Sequence, residues 1–265
     1  MRALTWLRAE EYNFRAGQAG PAIQGGLILK TSSIFIGADV EQIAKSVIMP
    51  GDPKRADFIA HTYLEDPQLV SDIRGIPVYT GEYHGRQVTV MASGMGVPSM
   101  GIYSHDLYQY FGVERIIRCG TAGGIDPDLH IRDLVLGEGA CTVSSFAYQF
   151  RLPGTFAPIA SFPLLRSAVD KIEKKGLRYK VGNLFCTDYF YDDAASLAEW
   201  QKVGVLAVEM ESAGLYTNAA RFGKQALTIC TISDCPLRAE SSTPEETERT
   251  FTAMMEIALE VACEE

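Results

Sequence analysis

A short apolar run that passes directly into glycines constrains this chain more than any other stretch. It reads Ile116-Ile117-Arg118-Cys119-Gly120-Thr121-Ala122-Gly123-Gly124. The isoleucines predict a strand inside a sheet, and the glycines predict a sharp turn whose backbone N–H groups come close to a ligand. An arginine in such a strand is costly unless an anion meets it. Arg118 therefore indicates either a bound oxyanion beside the Thr121 hydroxyl or an ion pair with a structural carboxylate, and both interpretations stay open here.

A second strand-to-helix junction carries two more candidate anion ligands. The pattern predicts a buried strand over Ser46–Met49, followed by a helix with Asp52 as its N-cap and Pro53 at its first position. Free N–H groups at a helix N-terminus attract anions. A cation in the first turn is slightly unfavourable unless an anion binds beside it. Gly51 and Arg55 are therefore candidate phosphate ligands, with a solvated first-turn side chain as the alternative for Arg55.

Acidic and aromatic side chains follow later predicted strands. Glu209-Met210-Glu211 ends a strand predicted over 203–208, and Asp234 ends one predicted over 224–233. Ligands of α/β sheets bind at the carboxyl ends of strands, so Glu209 or Glu211 is expected to bind hydroxyl groups. The run Thr187-Asp188-Tyr189-Phe190-Tyr191 suits stacking on a flat base, although core packing explains it almost as well.

The remaining periodicity describes strands that alternate with helices, which predicts one α/β domain with a largely parallel or mixed sheet. The predicted elements are a hairpin (76–81 and 87–93), helices (100–111, 164–175 and 212–222), strands (133–143 and 179–185) and a long loop (146–163). A terminal helix is also predicted; a capping box at 243–246 opens it, and it carries an apolar stripe from Phe251 to Val261. Residues 1–32 lack periodicity and predict a loose extension before a domain over 33–265. Met95, between two glycines, either faces a ligand or fills a gap in the core.

Composition argues against several classes of partner. The formal net charge of −9 disfavours nucleic acid or an anionic membrane surface, so an anionic substrate needs local positive charge. The six cysteines lack C-x-x-C spacing and a histidine cluster, which favours reduced thiols in a cytoplasmic protein and no metal site. No run approaches the ~20 apolar residues of a membrane span. The first 22 residues lack the apolar core of a signal peptide.

Four segments, taken together and in order, resemble the signature set of the nucleoside phosphorylases. They are Met49-Pro50-Gly51-Asp52-Pro53-Lys54-Arg55, the Arg118 to Gly124 run, Val208-Glu209-Met210-Glu211-Ser212-Ala213-Gly214 and Ile232-Ser233-Asp234. The chain is most similar to the hexameric, bacterial type of purine nucleoside phosphorylase, from about Ile36 to the C-terminus. The resemblance implies a single α/β domain around a mixed, partly barrelled β-sheet flanked by helices. It also implies a cytoplasmic homohexamer, built as a trimer of dimers, that has no cofactor.

The resemblance also implies a reaction and a set of site residues. The reaction is phosphorolysis of purine (2′-deoxy)ribonucleosides, with inorganic phosphate as co-substrate, to a free base and (2-deoxy)ribose 1-phosphate. Phosphate would meet Gly51, Arg55, Arg118 and Thr121, with Arg74 reaching in from the adjacent subunit. The nucleoside would meet Met95, Phe190, Val208, Glu209, Met210, Glu211 and Ser233, with Ala122 and Gly123 near the base. Asp234, protonated, would be the catalytic acid facing N7 of the purine.

Two positions depart from the pattern of the resembled family. The segment that lends a histidine to the neighbour's ribose reads Ser33-Ile34-Phe35-Ile36 here, and a phenyl ring cannot make that hydrogen bond. Thr247 stands where an ungapped alignment puts the arginine that assists the acid, and Arg238 or Arg249 is the candidate replacement after a local shift. These departures bear on the 5′ end of the sugar and on the acid step, and they leave the phosphate residues intact.

Three alternatives share parts of the signature. A uridine phosphorylase has the same phosphate residues, but its base site uses a Gln-x-Arg pair that residues 186–191 lack. A nucleosidase of the same superfamily uses water and has no need of Gly51, Arg55 and Arg74 together. A catalytically silent nucleoside-binding protein is the alternative of a different class, which the two departures keep open. Purine phosphorolysis is therefore the preferred reading.

Overall fold

The computed structural model describes residues 32–249 and 251–264, so the predicted extension lies outside the described residues except for its last position. The strands are β1 (Ser46–Met49), β2 (Glu65–Ser71), β3 (Val78–Tyr83), β4 (Arg86–Met91), β5 (Arg115–Gly124), β6 (Leu134–Thr142), β7 (Tyr179–Cys186), β8 (Ala207–Glu209), β9 (Gln225–Cys235) and β10 (Glu240–Ser241). The helices are α1 (Pro53–Tyr63), α2 (Gly96–Tyr110), α3 (Phe162–Lys174), α4 (Leu197–Lys202), α5 (Ser212–Phe222), α6 (Pro244–Arg249) and α7 (Thr252–Ala262).

The strands form one mixed sheet, part of which closes on itself. Their order is β10-β9-β6-β7-β8-β5-β1-β4-β3-β2, and an additional pairing joins β9 to β5. That pairing closes β5, β9, β6, β7 and β8 into a barrel. Parallel pairs such as β1 with β5 stand beside antiparallel pairs such as β5 with β8. The predicted mixed, partly barrelled sheet is therefore confirmed.

Strand β5 is covered on both faces, as its two leading isoleucines predict. Side chains alternate along a strand, so Ile116 and Ile117 point to opposite sides. Ile116 packs in a core with residues of α2 and α5, and Ile117 packs in a second core with residues of α1, α3 and α7. Both isoleucines are fully buried. This burial fixes the first part of β5, which leads directly to Arg118.

The predicted start of helix α1 is confirmed. The Asp52 carboxylate accepts the Lys54 backbone N–H at 2.9 Å, and Pro53 takes the first helical position. Strand β1 pairs in parallel with β5, with Met49 opposite Arg118. Because α1 follows β1 after a short turn, its first turn lies at the end of the sheet where Arg118 lies.

Three details of the predicted fold are wrong. The glycines after Arg118 continue strand β5 and do not form a turn. The predicted terminal helix is divided into α6 and α7, and Phe251, the first residue of the apolar stripe, is buried with a non-helical ψ of 52° immediately before α7. The strand predicted over 203–208 is reduced to the three residues of β8. The capping box is confirmed, since the Thr243 N–H donates to the Glu246 carboxylate at 2.9 Å and the Thr243 hydroxyl accepts the Glu246 N–H at 3.3 Å.

Candidate functional site

The guanidinium of Arg118 is the buried centre of the site. Its Nε donates to Oε2 of Glu209 at 3.1 Å, and its Nη2 lies 2.5 Å from Oε2 of Glu211. The remaining nitrogen, Nη1, is buried without a hydrogen-bond partner among the described residues. The ion-pair interpretation of Arg118 is therefore confirmed, because structural carboxylates bind one side of the guanidinium. The oxyanion interpretation stays a prediction for the N–H edge that is left over.

Glu209 and Glu211 hold different partners although they are two residues apart. Glu209 ends β8, and its carboxylate also accepts the N–H groups of Glu211 at 2.9 Å and Ser212 at 3.0 Å. Glu211 directly precedes α5, and its Oε1 accepts the Gly96 N–H at 2.6 Å. Glu209 is thus saturated by protein donors at the start of α5, while Glu211 links the N-termini of α2 and α5.

The charges in this cluster alter each other's titration. Burial lowers the pKa of Arg118, but the Glu211 and Glu209 carboxylates outweigh it and the net pKa lies above the ordinary value. Burial raises the pKa of Glu211, partly against the charge of Arg118. Arg118 therefore stays charged, and it remains a hydrogen-bond donor at every pH at which the protein is folded.

Arg55 supplies the second incompletely bonded guanidinium. It lies in the first turn of α1, is buried, and donates from Nη2 to the Thr247 carbonyl at 3.2 Å. Its Nε is buried without a partner among the residues described. Burial lowers the pKa of Arg55, and the charge of Arg118 lowers it further. Both unmatched guanidinium N–H groups are buried, and donors of this kind suit an oxyanion ligand.

Of the two glycines near these arginines, Gly120 is required for space and Gly51 is not. A Cβ on Gly120 would lie 2.7 Å from Cζ and Nη2 of Arg118, because the arginine side chain runs over this residue. A Cβ on Gly51 would lie 3.9 Å from Nη1 of Arg118 and 3.5 Å from the Gly94 carbonyl. Neither glycine has a positive φ. The glycine signal in β5 therefore reflects close approach of a side chain.

A second group surrounds the Asp234 carboxylate near the carboxyl end of β9. The Ser233 hydroxyl donates to Oδ1 of Asp234 at 2.7 Å. A Cβ on Gly123 would lie 3.0 Å from Oδ2 of Asp234 and 3.1 Å from Cγ1 of Val208. Asp234 is half-buried. Strand β5 thus contributes to both groups: Arg118 belongs to the first, and Gly123, five residues later, lies beside Asp234 in the second.

The other predicted site residues differ in their exposure. Met95 is 83% exposed and Phe190 is 79% exposed, so both side chains are free to contact a ligand. Thr121 and Met210 are half-buried, and Ala122 is buried. Arg74 lies in the connection between β2 and β3.

The structure also locates the residues at the two positions that depart from the family pattern. Phe35 packs edge-on against Tyr103 with ring centroids 6.3 Å apart. Thr247 lies in α6, and its hydroxyl donates to the Thr243 carbonyl at 2.8 Å. Arg238 is held by Glu240 at 3.2 Å and by the Leu129 carbonyl at 2.6 Å. The Arg249 side chain lies outside the described part of the chain.

Sequence reasoning missed two contributors to the site. The Gly96 N–H binds Glu211, and the Gly-Met-Gly pattern at 94–96 was the available signal, since both glycines have a positive φ. Ser242 donates from its N–H at 2.8 Å and from its hydroxyl at 2.7 Å to the Ser233 carbonyl. Nothing in the pattern around Ser242 indicated that contact, which depends on β10 folding back on β9.

Comparisons with known proteins agree with one another. Residues 45–264 match the family model described as the phosphorylase superfamily. The chain is 49% identical over 232 residues to the DeoD-type purine nucleoside phosphorylase of Clostridium novyi (strain NT), covering 87% of this chain and 99% of that protein. It is 48% identical over 232 residues to the protein of the same name from Caldanaerobacter subterraneus subsp. tengcongensis, covering 87% of this chain and all of that protein (100%). Identity to the Geobacillus kaustophilus protein of that name is 46% over 230 residues, covering 87% and 98% of the two chains.

Proposed function

This chain belongs to the phosphorylase superfamily, and from that premise we propose that it cleaves the N-glycosidic bond of purine (2′-deoxy)ribonucleosides with inorganic phosphate. The products are a free purine and (2-deoxy)ribose 1-phosphate. The observation that carries the proposal is the pair of buried, unpartnered guanidinium nitrogens, Nε of Arg55 and Nη1 of Arg118. The similarity to relatives named as purine nucleoside phosphorylases supports the choice of substrate.

Phosphate binds at the two arginines in this proposal. Each unmatched N–H would otherwise remain a buried donor without an acceptor, which costs about 1–3 kcal/mol. Gly51 leaves room for an oxygen beside Nη1 of Arg118, and the Thr121 hydroxyl is a further donor. The bound phosphate oxygens would therefore complete the hydrogen bonding of the site. No cofactor is needed, because phosphate is the second substrate.

The nucleoside lies between the arginines and Asp234. Glu211 accepts ribose hydroxyls, with Met210 and the exposed Met95 against the sugar. Glu209 contributes by holding Arg118 and the start of α5. The purine stacks near Phe190, between Val208 and the Ala122-Gly123 backbone, with Ser233 and Asp234 at its edge. This arrangement is compatible with the partial exposure of Asp234.

The reaction follows from the charges. Breaking the bond from C1′ to the base develops positive charge on the sugar and negative charge on the purine, as in other glycosyl transfers. Phosphate held below C1′ stabilises the cation and then forms the new C1′–O bond. Asp234, protonated, donates its proton to N7 as the base leaves with the bonding electrons. Positioning and charge each contribute several kcal/mol to such a step, by the usual magnitudes.

We also propose a homo-oligomeric state, a hexamer built as a trimer of dimers, in which Arg74 completes the phosphate site of a neighbouring subunit. Its exposed position on the β2–β3 connection is compatible with that role. A cytoplasmic location is supported by the cysteines, all six of which are free thiols. In residues 32–249 and 251–264, no helix has both the length and the apolar character needed to span a bilayer. Neither nucleic acid nor membrane is a proposed partner.

The test is phosphate dependence across three substrates. Purified protein is incubated with inosine, adenosine or uridine, with and without inorganic phosphate, and base and ribose 1-phosphate are measured. We expect loss of the purine nucleosides only with phosphate, with one ribose 1-phosphate formed for each base. Equal turnover without phosphate identifies a nucleosidase, and preferred turnover of uridine identifies a pyrimidine enzyme. Nucleoside binding without turnover identifies a silent binding protein.

A further inference from the structure

Arg74 is an exposed cation whose position is fixed by an aromatic ring. Its guanidinium carbon lies 5.8 Å from the ring centroid of Phe35, within the range of a cation–π contact. Its backbone has a φ of 62°, a left-handed conformation that non-glycine residues seldom adopt. Within the described residues, no carboxylate forms an ion pair with Arg74. The ring of Phe35 is therefore the contact that orients this side chain.

Phe35 is itself held in place by polar contacts on either side of it. The Ser33 hydroxyl accepts the N–H groups of Phe35 at 3.0 Å and Ile36 at 2.9 Å, and donates to the Asp106 carboxylate at 2.5 Å. The Gly37 N–H donates to the Ser71 hydroxyl at 2.9 Å. These contacts anchor the segment to α2 on one side and to the end of β2 on the other.

Two tight contacts complete the anchoring. Phe35 packs edge-on against Tyr103 of α2. A Cβ on Gly37 would lie 2.9 Å from Cδ1 of Ile73, the residue before Arg74, so residue 37 sits directly on the Arg74 connection. The phenyl ring thus has a fixed orientation relative to the backbone that carries Arg74.

We propose that Phe35 is a positioning residue for Arg74 and thereby sets the affinity of the enzyme for phosphate. The inference rests on the proposed function, in which Arg74 serves the phosphate site of a neighbouring subunit. Stacking on an aromatic face immobilises a guanidinium without using its N–H donors. All of the donors of Arg74 therefore stay available for a phosphate oxygen. A carboxylate partner would orient the side chain equally well but would compete with phosphate for those donors.

The experiment compares Phe35→Leu with Phe35→Tyr. Leucine keeps apolar packing against Tyr103 and removes the ring face, while tyrosine retains the ring. With the full-length chain, we expect Phe35→Leu to raise the phosphate KM about three- to tenfold, as loss of a cation–π contact should. The kcat at saturating phosphate and the inosine KM should change less than twofold. Phe35→Tyr should stay within twofold of the wild type in all three constants.

A double-mutant cycle with Arg74→Ala separates positioning from a general structural effect. Coupled residues give non-additive effects, so Phe35→Leu should have no further effect on phosphate KM once Arg74 is alanine. The same rise in both backgrounds overturns the proposal, as does an unchanged phosphate KM in Phe35→Leu. Should Phe35→Leu fail to fold or assemble, judged by thermal unfolding and gel filtration, Phe35→Met takes its place in the cycle.

Calorimetric titration with inorganic phosphate distinguishes failure of this inference from failure of the proposed function. Wild-type phosphorolysis together with unchanged phosphate binding by Arg74→Ala overturns the inference and leaves the function standing. Weaker phosphate binding by both Phe35→Leu and Arg74→Ala, in a protein that does not cleave inosine, supports the inference and removes the function. Absence of phosphate binding by the wild type overturns both.

Discussion

Arg118 binds Glu211 with its Nη2 at 2.5 Å while its Nη1, on the same guanidinium, has no partner in the described part of the chain. One planar group therefore touches the carboxylate assigned to ribose and faces the position assigned to phosphate. Because the fork is rigid, moving one edge moves the other. The proposed phosphate and nucleoside sites are thus joined through a single side chain.

Replacing Arg118 should damage both phosphate binding and folding. Arg118→Ala removes a charged contact worth ~2–4 kcal/mol, so the phosphate KM should rise by orders of magnitude. It also leaves Glu209 and Glu211 buried without their cation, which should cost about 3–5 kcal/mol of unfolding free energy. Steady-state kinetics and denaturant unfolding measure the two effects. Arg118→Lys, which keeps the charge and loses the fork, should be intermediate; an unchanged phosphate KM in Arg118→Ala would contradict the assignment.

Asp234→Asn should slow 6-oxopurine nucleosides strongly. An amide cannot give up a proton to N7, and a general acid typically contributes 10²–10⁴-fold. We expect the kcat for inosine to fall by about 100-fold or more, with little change in phosphate KM. Asp170→Asn, which alters an exposed carboxylate on α3, is the matched control. Inosine kinetics that match the wild type would remove Asp234 from the acid role.

We expect Glu209 to act mainly in protein stability and Glu211 mainly in nucleoside binding. Glu209→Gln weakens a carboxylate saturated by Arg118 and two backbone N–H groups, so it should lower the unfolding free energy by about 1–3 kcal/mol. Glu211→Gln should mainly raise the nucleoside KM, because Glu211 is the proposed acceptor of the ribose hydroxyls. Parallel measurement of inosine KM and urea unfolding on both variants tests the division. The reverse pattern, with inosine KM changed only in Glu209→Gln, is incompatible with it.

Gly120→Ala should disturb the site without adding or removing a charge. The new methyl group would lie 2.7 Å from Cζ of Arg118, which two carboxylates hold in place. Overpacking of this kind costs about 1–3 kcal/mol and should shift the guanidinium, raising the phosphate KM. Gly154→Ala is the control, since nothing lies within 4 Å of its Cβ and its φ is not positive. Equal behaviour of the two variants in unfolding and phosphate KM would show that Arg118 tolerates displacement.

The sequence predicts much of this structure where side-chain chemistry is local. The Asp52 cap, the capping box and the buried faces of β5 all follow from residues close together in the chain. The role of Gly120 does not, because short glycine-rich runs are typical of turns and the need for space depends on the path of the Arg118 side chain. Pairing of Arg118 with two glutamates about 90 residues away is likewise set by the β5–β8 contact, which no local pattern specifies.

Elements with weak patterns were missed for physical reasons. Strand β2 is an edge strand that is mostly exposed, contains Pro67 and has a positive φ at Asp66, so it lacks the alternation of a buried strand. Helix α4 has six residues, too few to show a helical period. Both elements lie outside the candidate site. Their omission therefore left the site predictions unaffected.

The most direct test of the account is a crystal structure of the protein with inorganic phosphate. We predict one phosphate whose oxygens lie within hydrogen-bond distance of Nε of Arg55 and Nη1 of Arg118, with the Arg118–Glu209 pair retained. A phosphate bound away from both arginines, or an empty site at saturating phosphate with both nitrogens still unpartnered, would contradict the claim that these guanidinium groups form the phosphate site.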